Sequence, residues 1–565
     1  MDPNGEFRNT SREQYNQIQS FEVSMKTNEN DKAKGTFNNQ IQFLLSALGF
    51  AVGYGNIWRF PYMLYKHGGG AFFIPYLSCL FFLVFPFYYM EVAFGQMYKK
   101  ALHRYYDSIH PKLVGLSITV AMINFFLALF YMCLISWCFS FLINSFQDPL
   151  PWAPKLNEDG NISEFSSDYF IKEFLDKSDS MFDIRSYNPT IMFSFIAMMA
   201  FIFFSLYRGI HSAKYLTYVI VPLPYFILTV FFVKGLTLEG FSSGWAYLYK
   251  PDWSKLWTLS IWSDAAGQAF FSAGLAQNTV IKLASHRKDD EPLLSTAVLI
   301  PCLNFGTSLF ASLALFSFIG HASYTSGIPI DDMNVRGMEL SFVIYPALIN
   351  TLPWPNLWSI LFFTMMTMLG FGTEYVFIEV CSDTLHGICT RRKKYKGRKV
   401  MMTFKVCLII LIFNLVFFSS SAGYYWLEYV DHYSTSVNMV VFSFIQVILF
   451  VYFLPIKDLI EKIKKFGETT PKLYIFCLKY ICPIFSLFLS AMAVYGDITR
   501  KNKPKETIDV IVCNIIFAIP LLSFLIVFVW NPFGRYDLEN KAEYRSANLL
   551  DNGEEMKEAS QSGDQ

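Results

Sequence analysis

One apolar stretch, residues 41–65, constrains the fold of this chain more than any other feature of its sequence. It is long enough to cross a bilayer as a helix, yet it contains Gly49, Gly53, Gly55 and Pro61, which disfavour a continuous helix. Backbone that leaves the helix at membrane depth must face a cavity or other protein, because lipid offers no partners for its N–H and C=O groups. The stretch therefore predicts a transmembrane helix that breaks near its middle.

Glycine spacing alone leaves two interpretations of this stretch open. Small residues also allow a continuous helix to pack closely against a neighbour, and spacing by itself favours that interpretation. Asn56 and Arg59 favour a functional break, because polar side chains at membrane depth usually mark a binding site or a transport pathway. The carbonyl groups freed by a break suit a small cation, and the positive end of the second half-helix suits an anion.

The composition is typical of a polytopic membrane protein. Of the 565 residues, 53% are hydrophobic and 18% are aromatic, which is too apolar for an ordinary soluble protein. The formal net charge is +1, from 46 basic and 45 acidic residues, so the sequence indicates no nucleic-acid partner. Residues 1–40 show no signal-peptide pattern. The ten cysteines show neither a disulfide framework nor metal-ligand spacing.

Hydropathy predicts twelve membrane spans. They lie at about residues 41–65, 71–97, 113–146, 190–206, 215–233, 256–283, 295–319, 356–381, 401–420, 437–454, 473–494 and 508–530. Basic loops follow the even-numbered spans, most clearly at residues 391–399, and this pattern predicts that both termini are cytoplasmic. The basic cluster at residues 500–505, which this orientation places outside, argues against it.

We expect three parts in the chain. A cytoplasmic tail over residues 1–40 precedes a twelve-helix transporter domain over residues 41–532, and a second cytoplasmic tail covers residues 533–565. Within the domain, the acidic loop 147–188 is expected to be extracellular. Asn161 begins an N-glycosylation triplet there, although a motif this short also occurs by chance.

The sixth predicted span repeats the pattern of the first. Residues 264–278 place small and polar residues in the middle of an apolar segment. Interrupted segments five spans apart are expected from an inverted repeat of five plus five helices, with a binding site at mid-membrane between the two breaks. Close helix packing would use the same small residues, so that interpretation also remains open.

The residues around both interrupted spans resemble the neurotransmitter:sodium symporter family. Residues 49–61 and 68–76 resemble the first two spans of that family, residues 262–272 its sixth span, and residues 342–346 its fourth outer loop. The resemblance extends over about residues 41–532. It implies an all-α membrane protein of the LeuT type, a 5+5 inverted repeat with twelve transmembrane helices, of which helices 1 and 6 are unwound at mid-membrane.

Sodium and chloride are the ions that this resemblance implies. The first sodium site maps onto four oxygen donors of the kind an alkali cation requires, namely the Ala51 carbonyl, Asn56, Ser272 and Asn304. The chloride site maps onto five hydroxyl or amide residues, Tyr76, Gln268, Ser272, Asn304 and Ser308. Single residues of these types more often join helices by hydrogen bonds, but five in register favour the chloride site. We therefore expect chloride dependence.

A second sodium site departs from the family pattern. It maps onto the carbonyls of Gly49, Val52 and Leu369 and the Thr373 hydroxyl. Gly372 stands where similar animal members carry an aspartate, and Glu374 follows two residues later. A carboxylate at membrane depth requires a partner. Glu374 therefore replaces the missing anion, pairs with a substrate amine, binds a proton, or points to a helix interface.

The resemblance implies an amino-acid substrate, because monoamine carriers of the family have an aspartate at the position of Gly53. Glycine leaves room for a carboxylate near sodium, the backbone at Gly55 and the Tyr131 hydroxyl. Gly274 is expected to enlarge the side-chain end of the pocket. The full predicted set is Ala51, Gly53, Tyr54, Gly55, Leu127, Tyr131, Phe271, Ser272, Gly274, Gln277, Thr373 and Phe377, in which Tyr54 and Gln277 are atypical.

The family's outer gate maps onto Arg59 and Asp431, which would pair across the vestibule when substrate draws the helices together. Without the resemblance, Asp431 would be read as a solvated acid at the end of a loop. Glu91 is expected to brace the broken sixth span by accepting its backbone N–H groups.

An inner gate is matched less well. Lys34 and Phe37 stand where an arginine and a tryptophan are usual, and Gly387 stands where an aspartate is usual. Asp383 is the candidate substitute for that aspartate.

We expect a secondary active symporter of the plasma membrane, not an enzyme, that imports an amino acid or related small zwitterion with Na⁺ and Cl⁻. The eight histidines lie without a nucleophile or metal partner at useful spacing. Two alternatives remain open. One is an amino-acid-binding receptor with little flux, and the other is a carrier driven by H⁺ or K⁺ through Glu374. The sequence leaves the oligomeric state undetermined.

Overall fold

The computed structural model describes residues 40–99, 103, 106, 111–154, 162–207, 217–288, 291–332, 338–390, 398–453, 456–499 and 507–530. In these ranges the chain is helical, and the β-pairing recorded there is one isolated bridge between Tyr187 and Ser420. Lys34, Phe37 and Asn161 lie outside the described residues.

Ten helices of the described chain are long and apolar enough to cross a membrane. They are Gly69–Tyr98, Val114–Asn144, Pro189–Leu206, Thr217–Leu236, Leu293–Ser326, Pro355–Cys389, Lys399–Phe418, Gly423–Phe453, Lys472–Gly496 and Ile508–Trp530. They correspond to ten of the twelve predicted spans, and we call them spans 2 to 5 and 7 to 12. The predicted spans 1 and 6 are interrupted, so neither forms one long helix.

Span 1 consists of helix 1a, Gln40–Ala51, followed after a break by helix 1b, which is a π-helical turn over Gly55–Arg59 and an α-helix over Phe60–Lys66. Span 6 consists of helix 6a, Leu259–Ser272, and helix 6b, Thr279–Ala284. Pro301 and Pro520 lie inside spans 7 and 12 without ending those helices. The predicted spans 1 and 6 are therefore the ones that the chain breaks.

Spans 3 and 8 form the interior of the bundle. In the most apolar window of each, 78% of the residues are buried, compared with 22% in span 12. Span 12 and span 4 instead expose large apolar side chains, such as Val529 at 74% and Phe204 at 71%. An apolar outer surface around a well-packed interior is expected for helices that face lipid. The chain is an all-α membrane protein.

Spans 7, 8 and 10 extend furthest beyond their predicted bounds, and span 7 ends only at Ser326. Span 8 is continuous over Pro355–Thr390, and span 10 begins at Gly423 rather than near residue 437. Asp431 consequently lies inside a helix, at the end of Gly423–Asp431, and is not an acid at the end of a loop. Hydropathy missed the first turns of span 10 because they are rich in tyrosine and acidic residues.

Short helices cover the ends of the bundle. They are Ile162–Asp168, Tyr169–Phe174, Phe241–Tyr249, Trp253–Trp257, Leu340–Ile344, Tyr345–Asn350 and Ile456–Lys465. Phe342 and Phe170 from two of them stack with ring centroids 5.3 Å apart and planes 6° apart. Phe342 also meets the buried Trp137 of span 3 at 5.8 Å. These contacts fix the connecting segments onto span 3.

Candidate functional site

The break in span 1 lies at Val52 and Gly53, where the α-helical pattern stops. Polar contacts replace part of the lost helical bonding. The Gly53 N–H donates to the Asn56 Oδ1 at 3.1 Å, and the Asn56 N–H donates to the Gly53 carbonyl at 3.1 Å. The Gln268 Nε2 of helix 6a donates to the Gly55 carbonyl at 2.8 Å. The two broken spans therefore meet directly at the break.

The break in span 6 is built from three residues in the left-handed region. Gly274, Ala276 and Asn278 have φ of 65°, 62° and 60°, a conformation that stops an α-helix and is costly for residues other than glycine. The Ala276 N–H donates to the Glu91 Oε1 at 3.2 Å, and Gln446 donates to the same oxygen at 2.9 Å. Glu91 of span 2 thus contacts the interrupted backbone, as the resemblance implied.

A cavity of about 10 Å³ lies between the two breaks, which is room for about one water molecule. Eight of the predicted substrate residues line it, Ala51, Gly53, Gly55, Tyr131, Phe271, Ser272, Gln277 and Phe377. The ninth lining residue is Phe50, which the sequence did not indicate. Tyr54, Leu127, Gly274 and Thr373 do not line the cavity. The structure thus describes a closed pocket.

Phe50 occupies the space that Gly274 was expected to provide. A Cβ atom on Gly274 would lie 2.1 Å from Phe50 Cε1, so this glycine permits the close approach of the two breaks. The Phe50 ring also meets Phe377 edge-on at 6.0 Å, and Phe377 meets Tyr131 at 5.3 Å. The side-chain end of the closed pocket is therefore an aromatic cluster. Matching Gly274 to the corresponding position of the family could not reveal that the Phe50 ring fills the space beside it.

Gly53 faces Thr373 and Tyr131, two of the predicted substrate residues. A Cβ atom at this position would lie 2.8 Å from Thr373 Oγ1 and 3.7 Å from the Tyr131 hydroxyl. The Thr373 hydroxyl donates to the Phe50 carbonyl at 3.1 Å. Any side chain at residue 53 would compete for the space in front of Tyr131.

One hydrogen-bond network joins the predicted first sodium site to the predicted chloride site. The Asn56 Nδ2 lies 2.7 Å from the Asn304 Oδ1, 3.0 Å from the Asn304 carbonyl and 2.8 Å from the Ser308 Oγ. The Asn304 Nδ2 donates to the Ser272 Oγ at 2.8 Å. Tyr76 is buried nearby, with its ring 5.0 Å from that of Phe60 in helix 1b. Four polar residues thus form one cluster at the junction of helices 1b, 6a and span 7, namely Asn56, Ser272, Asn304 and Ser308.

The predicted second sodium site has no space for the carboxylate that the family carries there. A Cβ atom on Gly372 would lie 2.3 Å from the Gly49 carbonyl oxygen. Span 8 and helix 1a therefore touch through backbone at this point. Glu374 is fully buried, and neither of its carboxyl oxygens has a hydrogen-bond partner in the described part of the chain.

Helices 1b and 6a are also joined by an acid of helix 6a. The Asp264 Oδ2 lies 2.6 Å from the Lys66 Nζ and 2.8 Å from the His67 Nε2, both at the end of helix 1b. The guanidinium of Arg59 lies over the Phe271 ring, 4.7 Å from its centroid. Among the described contacts of Arg59, this cation–π contact is recorded rather than an ion pair with Asp431.

A larger cavity of about 720 Å³ lies at the same end of the molecule, between helix 1b and Phe241–Tyr249. Its lining includes Tyr65, Lys66, Tyr247 and Lys250, and none of the predicted substrate residues. Size alone would favour this cavity as the substrate site, but it is open to solvent. The small cavity is lined by the residues that match the family's substrate site.

A cluster of four charges lies at the end of helix 6b. Lys282 of helix 6b pairs with Asp383 of span 8 and lies 3.8 Å from Glu379. Lys399 of span 9 lies 2.5 Å from both acids. Asp383, the candidate inner-gate acid, thus pairs with these lysines. A side chain at position 387 would displace the His103 ring, because a Cβ atom on Gly387 would lie 2.0 Å from the His103 Nε2.

Replacing Asp383 with asparagine is expected to loosen helix 6b from span 8. The pair is partly solvent-accessible, so we expect a change on the order of 1 kcal/mol, or about fivefold in the open population. The reaction rate of a cysteine introduced at Ser285 with a water-soluble thiol reagent measures that population. The control is Lys172→Gln, which breaks an exposed ion pair with Asp168 at 2.8 Å. Equal reaction rates in the two variants would contradict the expectation.

Comparison with known proteins identifies the family of this chain. The model of the sodium:neurotransmitter symporter family matches residues 34–532. A sodium-dependent neutral amino acid transporter B(0)AT3 of Rattus norvegicus is 30% identical over 530 residues, covering 83% of this chain and 86% of its own. A sodium- and chloride-dependent glycine transporter 1 of Xenopus laevis is 28% identical, covering 83% and 79%. A sodium-dependent dopamine transporter of Caenorhabditis elegans is 28% identical, covering 93% and 91%.

Proposed function

The chain belongs to the sodium:neurotransmitter symporter family, and from that membership we propose that it is a plasma-membrane symporter that imports an amino acid or related small zwitterion together with Na⁺ and Cl⁻. The observation that carries this proposal is the meeting of the two broken spans around Gly53, Tyr131 and Phe271. Transporters of this architecture bind substrate and coupling ions where discontinuous helices meet at mid-membrane.

The absence of a side chain at Gly53 supports an amino-acid substrate. The space in front of Gly53 opens onto the Tyr131 hydroxyl, 3.7 Å from where a Cβ atom would lie. A carboxylate in that space would accept a hydrogen bond from Tyr131 and from N–H groups at the start of helix 1b, where the helix dipole favours an anion. Two of the relatives are named as transporters of neutral amino acids and of glycine, which agrees with an amino-acid substrate.

Coupling to Na⁺ and Cl⁻ is supported by the cluster of Asn56, Ser272, Asn304 and Ser308. Their oxygens suit a hard cation, and their hydroxyl and amide donors suit an anion. One cluster would thus hold two ions of opposite charge, and each would offset the charge of the other in a poorly solvated site. Binding of both ions would draw helices 1b and 6a towards span 7.

Transport by alternating access requires the closed pocket to open. A cavity of about 10 Å³ is too small for an amino acid, so the Phe50 and Phe271 rings must move before substrate enters. Helices 1a, 1b, 6a and 6b with spans 2 and 7 would move against the remaining spans, and ligands would act by favouring the state that encloses them.

Uptake into proteoliposomes tests the proposal. The purified chain is reconstituted, and accumulation of radiolabelled amino acids, glycine, GABA, taurine and betaine is measured with inward gradients of Na⁺ and Cl⁻, then with each ion replaced. We expect concentrative uptake that requires both ions, and we expect Gly53→Ala to lower it at least tenfold. Saturable binding without accumulation would instead assign the chain an amino-acid-binding receptor function.

A further inference from the structure

Arg287 is a fully buried arginine to which the proposed function assigns no role. It follows helix 6b, where its backbone N–H donates to the Ala284 carbonyl at 3.1 Å, and its relative exposure is 0%. Arginine is almost never fully buried unless it is paired, because moving its charge out of water is costly. A buried arginine between helix 6b and span 7 therefore requires an explanation.

Hydrogen bonds hold the guanidinium of Arg287 in one orientation. Its Nε donates to the Glu291 Oε2, and its Nη2 donates to the Pro292 carbonyl and to the Thr296 hydroxyl of span 7, each at 3.0 Å. The backbone of Glu291 is itself fixed, because its carbonyl accepts a hydrogen bond from the Gln96 Nε2 of span 2 at 2.9 Å. The guanidinium is thus attached to the inner ends of spans 2 and 7.

The face of this guanidinium is covered by an aromatic ring of helix 1a. The Arg287 Cζ lies 4.7 Å from the centroid of the Phe43 ring, and its Nη1 has no hydrogen-bond partner in the described part of the chain. Phe43 is 1% exposed and lies in the first turn of helix 1a. Cation–π contacts are strongest where both groups are shielded from water, as they are here.

The contact joins two segments that are far apart in sequence, helix 1a and the end of helix 6b. The positions of span 8 that correspond to the family's inner gate do not supply this link, because Gly387 carries no acid and Asp383 is paired with Lys282 of helix 6b. Helix 6b is therefore joined to span 8 through Lys282 and to helix 1a through Arg287 and Phe43.

We infer that Arg287 is a positioning residue for transport, which holds the beginning of helix 1a against helix 6b and span 7 through the Phe43 ring. The inference deepens the proposed function, on which the role in transport rests. In the closed conformation the contact keeps helix 1a in place, and during alternating access it makes helix 1a move together with helix 6b. Without the contact, helix 1a separates alone, and ions and substrate leak from the inner end of the pocket.

A purely structural role for Arg287 would be confined to the segment between helix 6b and span 7. The hydrogen bonds to Glu291, Pro292 and Thr296 all lie within that segment and the first turn of span 7. Replacing Phe43 with leucine leaves these bonds in place and keeps an apolar side chain on helix 1a, but it removes the aromatic ring. The substitution Phe43→Leu therefore separates the contact with helix 1a from the packing of Arg287.

The contact is tested with a cysteine in place of Ser46, which lies one turn after Phe43 on helix 1a and is 1% exposed. Purified protein in Na⁺ and Cl⁻ is treated with a water-soluble thiol reagent, and mass spectrometry follows the modified fraction of the peptide that carries residue 46. We expect Phe43→Leu to raise the reaction rate about tenfold, which is the effect of losing a desolvated cation–π contact. An unchanged rate in Phe43→Leu overturns the inference.

A double-mutant cycle separates this contact from the other contacts of Arg287. Arg287→Gln is expected to raise the rate at least as much as Phe43→Leu, because it also leaves Glu291 without its ion-pair partner. Adding Phe43→Leu to Arg287→Gln is expected to change the rate less than about twofold, since the contact is already lost. A further increase as large as that of Phe43→Leu alone would show that the two side chains act separately and would overturn the inference.

Lys462→Gln is the matched control for the labelling experiment. Lys462 lies over the Tyr98 ring, 4.4 Å from its centroid, so this substitution removes a cation–π contact between Ile456–Lys465 and span 2 rather than one to helix 1a. We expect the rate at residue 46 to stay unchanged. An increase equal to that of Phe43→Leu would mean that labelling reports general loosening of the bundle, which would overturn the inference.

Uptake in proteoliposomes gives a readout that a purely structural role would not produce. Under a sodium gradient, Phe43→Leu is expected to keep the initial rate of uptake but to lower the final accumulation severalfold, because substrate and ions leak back. An equal loss of rate and accumulation overturns the role in transport. If the reconstituted wild type takes up no substrate, the proposed function fails, whereas faster labelling of residue 46 in Phe43→Leu still supports the contact between Arg287 and helix 1a.

Discussion

Replacing Gly372 with alanine is expected to abolish sodium-coupled uptake and to lower the free energy of unfolding by about 1–3 kcal/mol, the usual cost of overpacking. The added Cβ atom would lie 2.3 Å from the Gly49 carbonyl oxygen and 3.2 Å from its carbon. Both atoms belong to the backbone, so span 8 and helix 1a would have to separate. Thermal unfolding of the purified variant and uptake in proteoliposomes measure the two effects.

Gly306→Ala is the matched control, because no atom of a neighbouring helix lies within 4 Å of a Cβ at that position in span 7. Gly372→Asp is expected to be more damaging than Gly372→Ala, although it restores the acid that similar animal members carry. Activity in Gly372→Asp equal to that of the wild type would show that helix 1a and span 8 are not in backbone contact.

Replacing Asn56 with alanine is expected to raise the sodium concentration for half-maximal uptake at least tenfold, which corresponds to about 1.4 kcal/mol. The Asn56 side chain bonds to Asn304 at 2.7 Å and to Ser308 at 2.8 Å, and it accepts the Gly53 N–H at 3.1 Å. Its removal takes away the partner of two buried groups, the Asn304 Oδ1 and the Gly53 N–H, each at a cost of about 1–3 kcal/mol. Sodium titration of initial uptake rates gives the measurement.

Asn414→Ala provides the matched control for Asn56. Asn414 is also a fully buried asparagine in a span, but its amide donates to the Ile410 carbonyl of its own helix at 2.9 Å. An equal loss of sodium affinity in both variants would mean that destabilisation of the bundle, and not loss of a sodium ligand at Asn56, accounts for the effect.

The sequence predicted the interrupted spans because the chemistry of a break is local. Gly53, Gly55 and Asn56 disfavour a helix wherever they occur in an apolar segment, and the twelve-span pattern follows from hydropathy in the same way. The structure and the family match confirm the all-α membrane fold. Without the resemblance, the sequence indicated that Asp431 is an acid at the end of a loop, and this interpretation was wrong. Asp431 lies in a helix, and a helix at an aqueous end need not be apolar.

The contacts between segments could not be predicted in the same way. The Phe50 ring beside Gly274 and the Gly49 carbonyl at Gly372 depend on how closely two helices approach, which no single residue encodes. The pairing of Asp383 with Lys282 and Lys399 brings together three separate helices. The ion and substrate residues remain predictions, supported by their proximity in the fold.

The contacts of Asp264 bear on how the closed pocket opens. Because its carboxylate joins the end of helix 1b to helix 6a, we expect these two half-helices to move together. If helices 1b and 6a opened independently, the pocket would have four states, whereas joint movement leaves two, open and closed. We therefore expect spectroscopic probes on helix 1b and on helix 6a to report the same rate of opening of the closed pocket.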